Sequence, residues 1–312
     1  MGLKALDDEK EFLGNFTSTH TRASYARDLS AFAEFLSDAF ADVAEWRDIE
    51  RKHIISYRNW LVEAGGKDGG GHAPKTISRK LASLSSYFHF LVEKSYCEFN
   101  PVTSIKRPRG EVKSPTNALT ADQVRALFAF IDQRESDSRL LHRALLTTFF
   151  MTGLRKSEVI YLKFKNYRDI NGHKVLEFVG KGGKIGQKVL ADECIARIEE
   201  YLAHMKKLGR KHLPQDWLFQ PTKNPNDPTR INKPLNPKTI NEILNFYAKK
   251  MGFTFNICPH SARATFISNL LDNGIDIYSI AREVNHSSVT TTQEYDKRRK
   301  KLNDSPVQKL SY

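Results

Sequence analysis

The sequence predicts a mainly α-helical protein with one small antiparallel β-sheet, divided into two domains. Three observations carry that reading. Apolar residues recur at three- and four-residue steps through the first hundred positions, a single stretch between Lys174 and Leu190 alternates as strands do, and a basic, proline-punctuated run from Lys106 to Pro115 has neither pattern. A chain of 312 residues suffices for two domains at ~150 residues each. With 40% hydrophobic and 11% aromatic residues it can also pack real cores, which excludes global disorder.

Thr19 to Phe40 sets Tyr25, Leu29, Phe32, Leu36 and Phe40 on one helical stripe. Asp48 is placed to cap a second helix that carries Ile54, Tyr57 and Leu61 and stops at Gly65. The glycine run from Gly65 to Gly71 predicts a mobile loop. A third helix from about Pro74 turns Ile77, Leu81, Leu84, Phe88, Leu91 and Val92 inward. Its first turns carry Lys75, Arg79 and Lys80 beside backbone N–H groups suited to a phosphate, with a solvated charged face as the plain alternative. Asn100-Pro101 ends the helical pattern, so the first domain is set at 10–107 and a basic linker at 108–117. Lys106, Arg107 and Arg109 could lie along a phosphate backbone there.

The second domain, 118–312, opens on a capping box, Thr120 to Gln123, ahead of Val124, Leu127 and Phe128. Arg139 to Thr152 reads as a buried helix broken by Gly153. Lys174–Val179, a Gly180–Lys184 turn and Gln187–Leu190 form a short hairpin. Helices are expected at about 192–208, 237–251, 260–273 and 276–284.

Charge narrows the function. The net charge of +13 splits into +1 over residues 1–110 and +12 over the remainder, an asymmetry that points to an anionic partner. Nucleic acid leads, with an acidic protein or a membrane surface behind it. No apolar run approaches the ~18 residues of a membrane span, and the acidic N-terminus is unlike a signal peptide. Cys97, Cys194 and Cys258 stand far apart, which predicts a reducing, cytoplasmic setting and no metal knuckle. P-loop, dinucleotide, HExxH and paired-aspartate metal motifs are all missing.

What remains is a set of polar residues in order. Arg155 follows Gly153 directly after an apolar helix, and Glu158 lies one turn on. Lys181 sits at the hairpin tip. His260 and Arg263 share a helical face, and His286 precedes Tyr295 by nine residues. Each alone has a commoner structural role, and an isolated His-x-x-Arg arises about once by chance. A phenol with a pKa near ~10 is a weak nucleophile unless cations stabilise the phenolate. Two guanidiniums can grip the non-bridging oxygens of a pentacoordinate phosphate in fixed forks, a task lysine does less well.

Thr152-Gly-Leu-Arg155-Lys-Ser-Glu158, Gly180-Lys181-Gly-Gly-Lys184, His260-Ser-Ala-Arg263 and Asn285-His286 through Tyr295 together resemble the motifs of the tyrosine recombinases, the phage-type integrases, of the simple two-domain, Xer-like kind. The resemblance implies a helical, SAM-like core-binding domain and a mixed α+β catalytic domain that clamp duplex DNA. Tyr295 would be the nucleophile, with Arg155, Arg263, His260 and His286 on the phosphate, Lys181 as general acid, and Glu158 orienting Arg155 or a neighbouring histidine. The product would be a 3′-phosphotyrosyl link, religated without ATP or metal, so no cofactor is implied. Two positions depart from the pattern. Asn285 stands where glycine is usual, and Asn is the next best left-handed cap. Gly186 stands where an arginine is common, which leaves Lys184 and Lys188 as the hairpin's phosphate contacts. The tail from about 296 would dock on a neighbouring subunit through Leu302, Val307 and Leu310.

The expected partners are double-stranded DNA with inverted-repeat sites and further subunits, homo- or heteromeric, in a tetramer, with no membrane. A type IB topoisomerase-like nicking-closing enzyme is the first rival, and a non-catalytic site-specific DNA-binding protein the second. Integration or excision and dimer resolution use the same residues.

Overall fold

The computed structural model describes residues 7–40, 42–66, 69–108, 117–223 and 231–296. Arg109 with most of the linker, Lys67 and Asp68 of the glycine run, and the tail beyond Asp296 lie outside them. The chain forms two compact units, Met1–Val112 and Lys113–Tyr312.

In the first unit, α1 (Asp7–Gly14), α2 (Thr19–Ala39), α3 (Arg51–Glu63) and α4 (Pro74–Glu93) pack around one aromatic-rich core. Leu29, Phe32 and Leu36 of α2 are buried, as the stripe requires, while Tyr25 and Phe40 sit at its rim. Trp46 packs edge-on against Tyr87 at 4.8 Å, which explains why the segment before α3 is ordered as a 3-10 turn (Trp46–Asp48). That turn corrects one expectation. Asp48 accepts from Glu45 N at 3.0 Å and closes the turn, while α3 starts later, with Glu50 N donating to His53 Nδ1 at 2.9 Å. Pro74 at the first position of α4 fits the site where a missing N–H costs nothing.

The basic cluster on α4 is less open than the sequence suggested. Asp28 of α2, 3% exposed, accepts from Arg79 Nη2 at 3.0 Å and Ser83 Oγ at 2.9 Å, with Lys80 Nζ at 3.5 Å. A buried carboxylate needs such partners, so Arg79 and Lys80 tie α2 to α4. Lys75 is exposed, as are Lys106 and Arg107.

The second unit contains α5 (Ala121–Asp132), α6 (Arg139–Thr152), α7 (Lys156–Ile160), a sheet, α8 (Asp192–Lys207), α9 (Pro237–Lys250), α10 (Pro259–Asp272), α11 (Ile277–Glu283) and α12 (Val289–Gln293). The capping box forms reciprocally: Gln123 N donates to Thr120 Oγ1 at 3.2 Å and Thr120 N to Gln123 Oε1 at 2.9 Å. Helix α6 is central, with ten consecutive buried or nearly buried residues from Arg143 to Thr152. The sheet is antiparallel in the order β1 (Tyr167–Ile170), β2 (His173–Val179) and β3 (Ile185–Val189). Strand β1 adds to the expected hairpin. Its link to β2 is Asn171-Gly172, both at positive φ (50° and 81°), the residue pair that a tight two-residue hairpin turn requires. Among the described residues no helix is long and apolar enough to cross a membrane.

Within this core His142 Nδ1 lies 2.9 Å from the Tyr247 hydroxyl, which also accepts from Arg134 Nη1 at 3.1 Å. Burial first, and Arg134 second, pull His142 down to about 4. The folded state therefore holds it neutral while an unfolded chain protonates it near ~6.5. Stability from this group is complete above the unfolded value and is lost as pH falls toward 4. Unfolding monitored from pH 7 to pH 4 should show a loss of ~2–3 kcal/mol from this group, flattened in His142→Asn. An unchanged pH dependence in that variant would contradict the assignment.

Candidate active site

The site begins where α6 ends. Gly153 adopts a left-handed conformation (φ 63°), and a Cβ there would come within 2.6 Å of Phe266 Cδ1. Only glycine suits both demands. Gly153→Ala should cost ~1–3 kcal/mol in denaturant unfolding, and wild-type stability in that variant would refute the close approach.

The turn delivers Arg155 to the start of α7, where Glu158 is its clamp. Glu158 Oε2 accepts from Arg155 N at 2.7 Å, and Oε1 pairs with Arg155 Nη1 at 2.8 Å. Glu158 is buried while the arginine side chain is 36% exposed, so the carboxylate fixes one edge of a guanidinium that still reaches solvent. Arg155 Nη2 also donates to Asn285 O at 3.4 Å.

Arg263, in the second turn of α10, is 3% exposed. Its Nη1 donates to Gly153 O at 2.6 Å and its Nη2 to Val284 O, so one guanidinium joins the α6 terminus to the end of α11. Burial first, then the neighbouring Arg155 charge, lowers Arg263 to about 10, with Glu158 and Tyr295 opposing. An anion placed between the two arginines would relieve that repulsion.

Asn285 follows α11 at φ 51°, the left-handed cap expected of it. This turn brings His286 back, its N–H donating to Ala281 O at 2.9 Å. His286 Nδ1 lies 2.8 Å from Thr292 Oγ1 of α12. Burial first, then Arg263, Arg155 and His260, pulls His286 down to about 4, so it is neutral at pH 7. Tyr295 follows α12, 7% exposed, in one apolar cluster with Ala264, Ile267, Leu271, Ile280 and Val284. The Tyr295 hydroxyl lies 3.0 Å from His260 Nε2, and the His286 ring stacks toward the phenol at 6.3 Å between centroids. Burial raises the phenol above its ordinary value of 10.0; Arg263 and Arg155 act against that rise and Glu294 with it.

The hairpin closes one side. A Cβ at Gly180 would lie 3.7 Å from Glu158 Oε1, which places the residue before Lys181 beside the arginine clamp. The Lys181 backbone forms the tip turn Lys181–Gly183, and Lys184 is exposed. Lys188 differs from expectation. The register pairs it with Leu176 on the inner face, where it is 3% exposed and bonded to Glu283, so it is not an open phosphate contact. The same register explains Gly186: it faces Phe178, and a Cβ there would meet Phe178 Cζ at 2.5 Å, leaving no room for arginine.

The structure thus brings Arg155, Glu158, His260, Arg263, His286 and Tyr295 together, with the Lys181 hairpin adjoining. Thr292 was not singled out from sequence; it is one of three consecutive threonines, and only the fold shows which of them meets His286. Among the described residues no group of three or more His, Cys, Asp or Glu is arranged to hold a metal ion.

Fold and site together define a DNA strand-transfer class, and the comparisons agree. Residues 117–301 match the phage integrase family, and residues 13–95 match the phage integrase N-terminal SAM-like domain. The chain belongs to the phage integrase family, the tyrosine recombinases. It is 31% identical to the tyrosine recombinase XerC of Pelobacter propionicus, over 89% of this chain and 84% of that protein. It is 27% identical to the tyrosine recombinase XerD of Listeria monocytogenes, over 89% and 88%. Among solved structures, the XerH site-specific recombinase bound to palindromic difH substrate superimposes with a TM-score of 0.73 at 21% identity, covering 92% of this chain and 80% of that one. A lambda integrase dimer bound to a COC′ core site gives 0.67 at 18% identity, over 95% and 77%. At those identities the structural likeness concerns the fold.

Proposed function

We propose that the protein is a site-specific recombinase that cuts and rejoins duplex DNA through a 3′-phosphotyrosyl link at Tyr295. One observation carries the reading: a buried tyrosine whose hydroxyl lies 3.0 Å from an imidazole nitrogen, on a site with two arginines braced to the same turn. Attack by Tyr295 Oη on phosphorus forms the O–P bond and breaks the P–O5′ bond. The phenol proton passes to His260 Nε2, and the departing 5′ oxygen takes a proton from Lys181. Arg155 and Arg263 neutralise charge that grows on the non-bridging oxygens, where fixed donors act most strongly. In the tautomer whose Nδ1 accepts from Thr292, 2.8 Å away, neutral His286 presents Nε2–H to the same oxygens. Glu158 positions Arg155.

Lys75, Lys106, Arg107, Arg109 and Lys184 belong to the sequence-independent phosphate grip in this reading, while Arg79 and Lys80 are engaged by Asp28. Two inverted-repeat sites and four subunits in a cytoplasmic complex complete it. Binding should therefore weaken by ~10-fold or more for a few-fold rise in salt. The deciding assay mixes two linear duplexes of different length, each carrying the site, with protein in a chelator and no nucleotide. Exchanged-length products are expected. Relaxation of supercoiled DNA with no exchanged products would favour the nicking-closing alternative.

A further inference from the structure

Lys188 lies outside the reaction scheme, yet it is among the most buried charged side chains in the catalytic unit, at 3% exposure. A lysine is rarely sequestered without a partner. Here the Nζ donates to both the backbone carbonyl and the carboxylate of Glu283, the latter at 2.7 Å. It also lies 5.7 Å over the Phe266 ring, the residue that packs against Gly153. Burial lowers its pKa, and Glu283 opposes that fall.

The two ends of this contact matter. Lys188 is on β3, seven residues after Lys181, on the strand that returns from the hairpin tip. Glu283 is the last residue of α11, and the next three residues are all at the site. Arg263 holds the Val284 carbonyl, Arg155 holds the Asn285 carbonyl, and His286 stacks toward Tyr295. The ammonium also suits the C-terminal end of a helix, where an unpaired carbonyl and partial negative charge accumulate. Alongside it, Phe178 fills the space over Gly186, so the inner face of the hairpin is a packed surface rather than a loose arm.

We propose that Lys188 is a positioning residue: its bond to Glu283 fixes the hairpin that carries Lys181 against the turn that carries the phosphate-binding groups. This rests on Lys181 being the general acid. Without the brace, the arginines, His260 and Tyr295 keep their mutual contacts, while the proton donor loses its register with the leaving oxygen. Misplacement by about an ångström costs ~10–100-fold in such a transfer.

The experiment uses cleavage of a nicked duplex in which the scissile 5′ oxygen is replaced by sulfur. Attack still forms the Oη–P bond, but the P–S bond breaks to a thiolate, which leaves without taking a proton because a thiol's pKa is only ~8.5. On the oxygen substrate Lys188→Met should be slowed ~10–100-fold and Glu283→Ala in the same direction by less. Glu283 is 51% exposed in its side chain, so its removal breaks the ion pair without opening a cavity, and it serves if the methionine variant folds poorly. On the sulfur substrate both should return to within a few-fold of wild type, as should Lys181→Ala, whereas Arg155→Ala should stay slow. Equal slowing on both substrates, or no slowing on oxygen, overturns the positioning role while Lys181→Ala is restored. If Lys181→Ala also stays slow on sulfur, the general-acid assignment fails and takes this role with it.

Discussion

Tyr295→Phe is expected to abolish covalent attachment to DNA, by ~10⁴-fold or more, while leaving folding and DNA binding near wild type. The ring belongs to one apolar cluster with Ala264, Ile267, Leu271, Ile280 and Val284, to which phenylalanine contributes equally well. The lost hydroxyl gives up one hydrogen bond, to the exposed His260; the net cost is ~1 kcal/mol. No other tyrosine hydroxyl is placed beside the two arginines among the described residues, so nothing should substitute. Denaturing gels of a nicked substrate read the covalent complex directly, and gel shift reads binding. A covalent product from the phenylalanine variant would remove Tyr295 as nucleophile.

Arg263→Ala should be the next most damaging change, and its cost to stability should exceed that of Arg155→Ala. Both guanidiniums are placed to stabilise the transition state, so each loss should cost ~10²–10⁴-fold in cleavage. Arg263 additionally satisfies two backbone carbonyls, of Gly153 and Val284, inside the protein. Orphaning them adds ~1–3 kcal/mol of instability for each group. Arg155, 36% exposed in its side chain, holds one carbonyl, of Asn285, and pairs with the buried Glu158, which keeps the Arg155 N–H when the side chain is removed. Both alanine variants are therefore expected to cleave slowly and to unfold earlier in denaturant, Arg263→Ala the earlier because two interior carbonyls lose their donor, whereas Glu158 keeps the Arg155 N–H and water reaches the vacated site. Arg263→Lys keeps a charge but lacks the fork that reaches both carbonyls, so it should rescue little. Equal stability of the two alanine variants would show that the carbonyl contacts are idle.

Much of this is legible in the sequence itself. The helical stripes of the first unit work because apolar period alone decides which face is buried, and α4 runs from Pro74 as its pattern requires. The set Arg155, Lys181, His260, Arg263, His286, Tyr295 was legible through its order and spacing, which resemble the tyrosine recombinase motifs, since each residue alone has a commoner structural role. Asn285 at positive φ was legible from the backbone demand of a left-handed cap. What escaped depends on contacts far apart in sequence. Asp28 takes up Arg79 and Lys80 from 51 and 52 residues away, so the α4 cluster looked freer than it is. Strand β1 is short and half polar, and only its Asn171-Gly172 turn marks it. Lys188 was misplaced because a basic residue beside an active site suggests phosphate, whereas strand register turns this one inward to Glu283, 95 residues on.

The most direct test of the central claim is peptide mapping of the protein–DNA adduct trapped on a nicked duplex, after nuclease and protease digestion. Mass spectrometry should find the nucleotide remnant on Tyr295, joined through a 3′ phosphate, with a 5′ hydroxyl left on the departing strand. A remnant on another residue, a 5′ linkage, or cleaved DNA with no protein attached would contradict it.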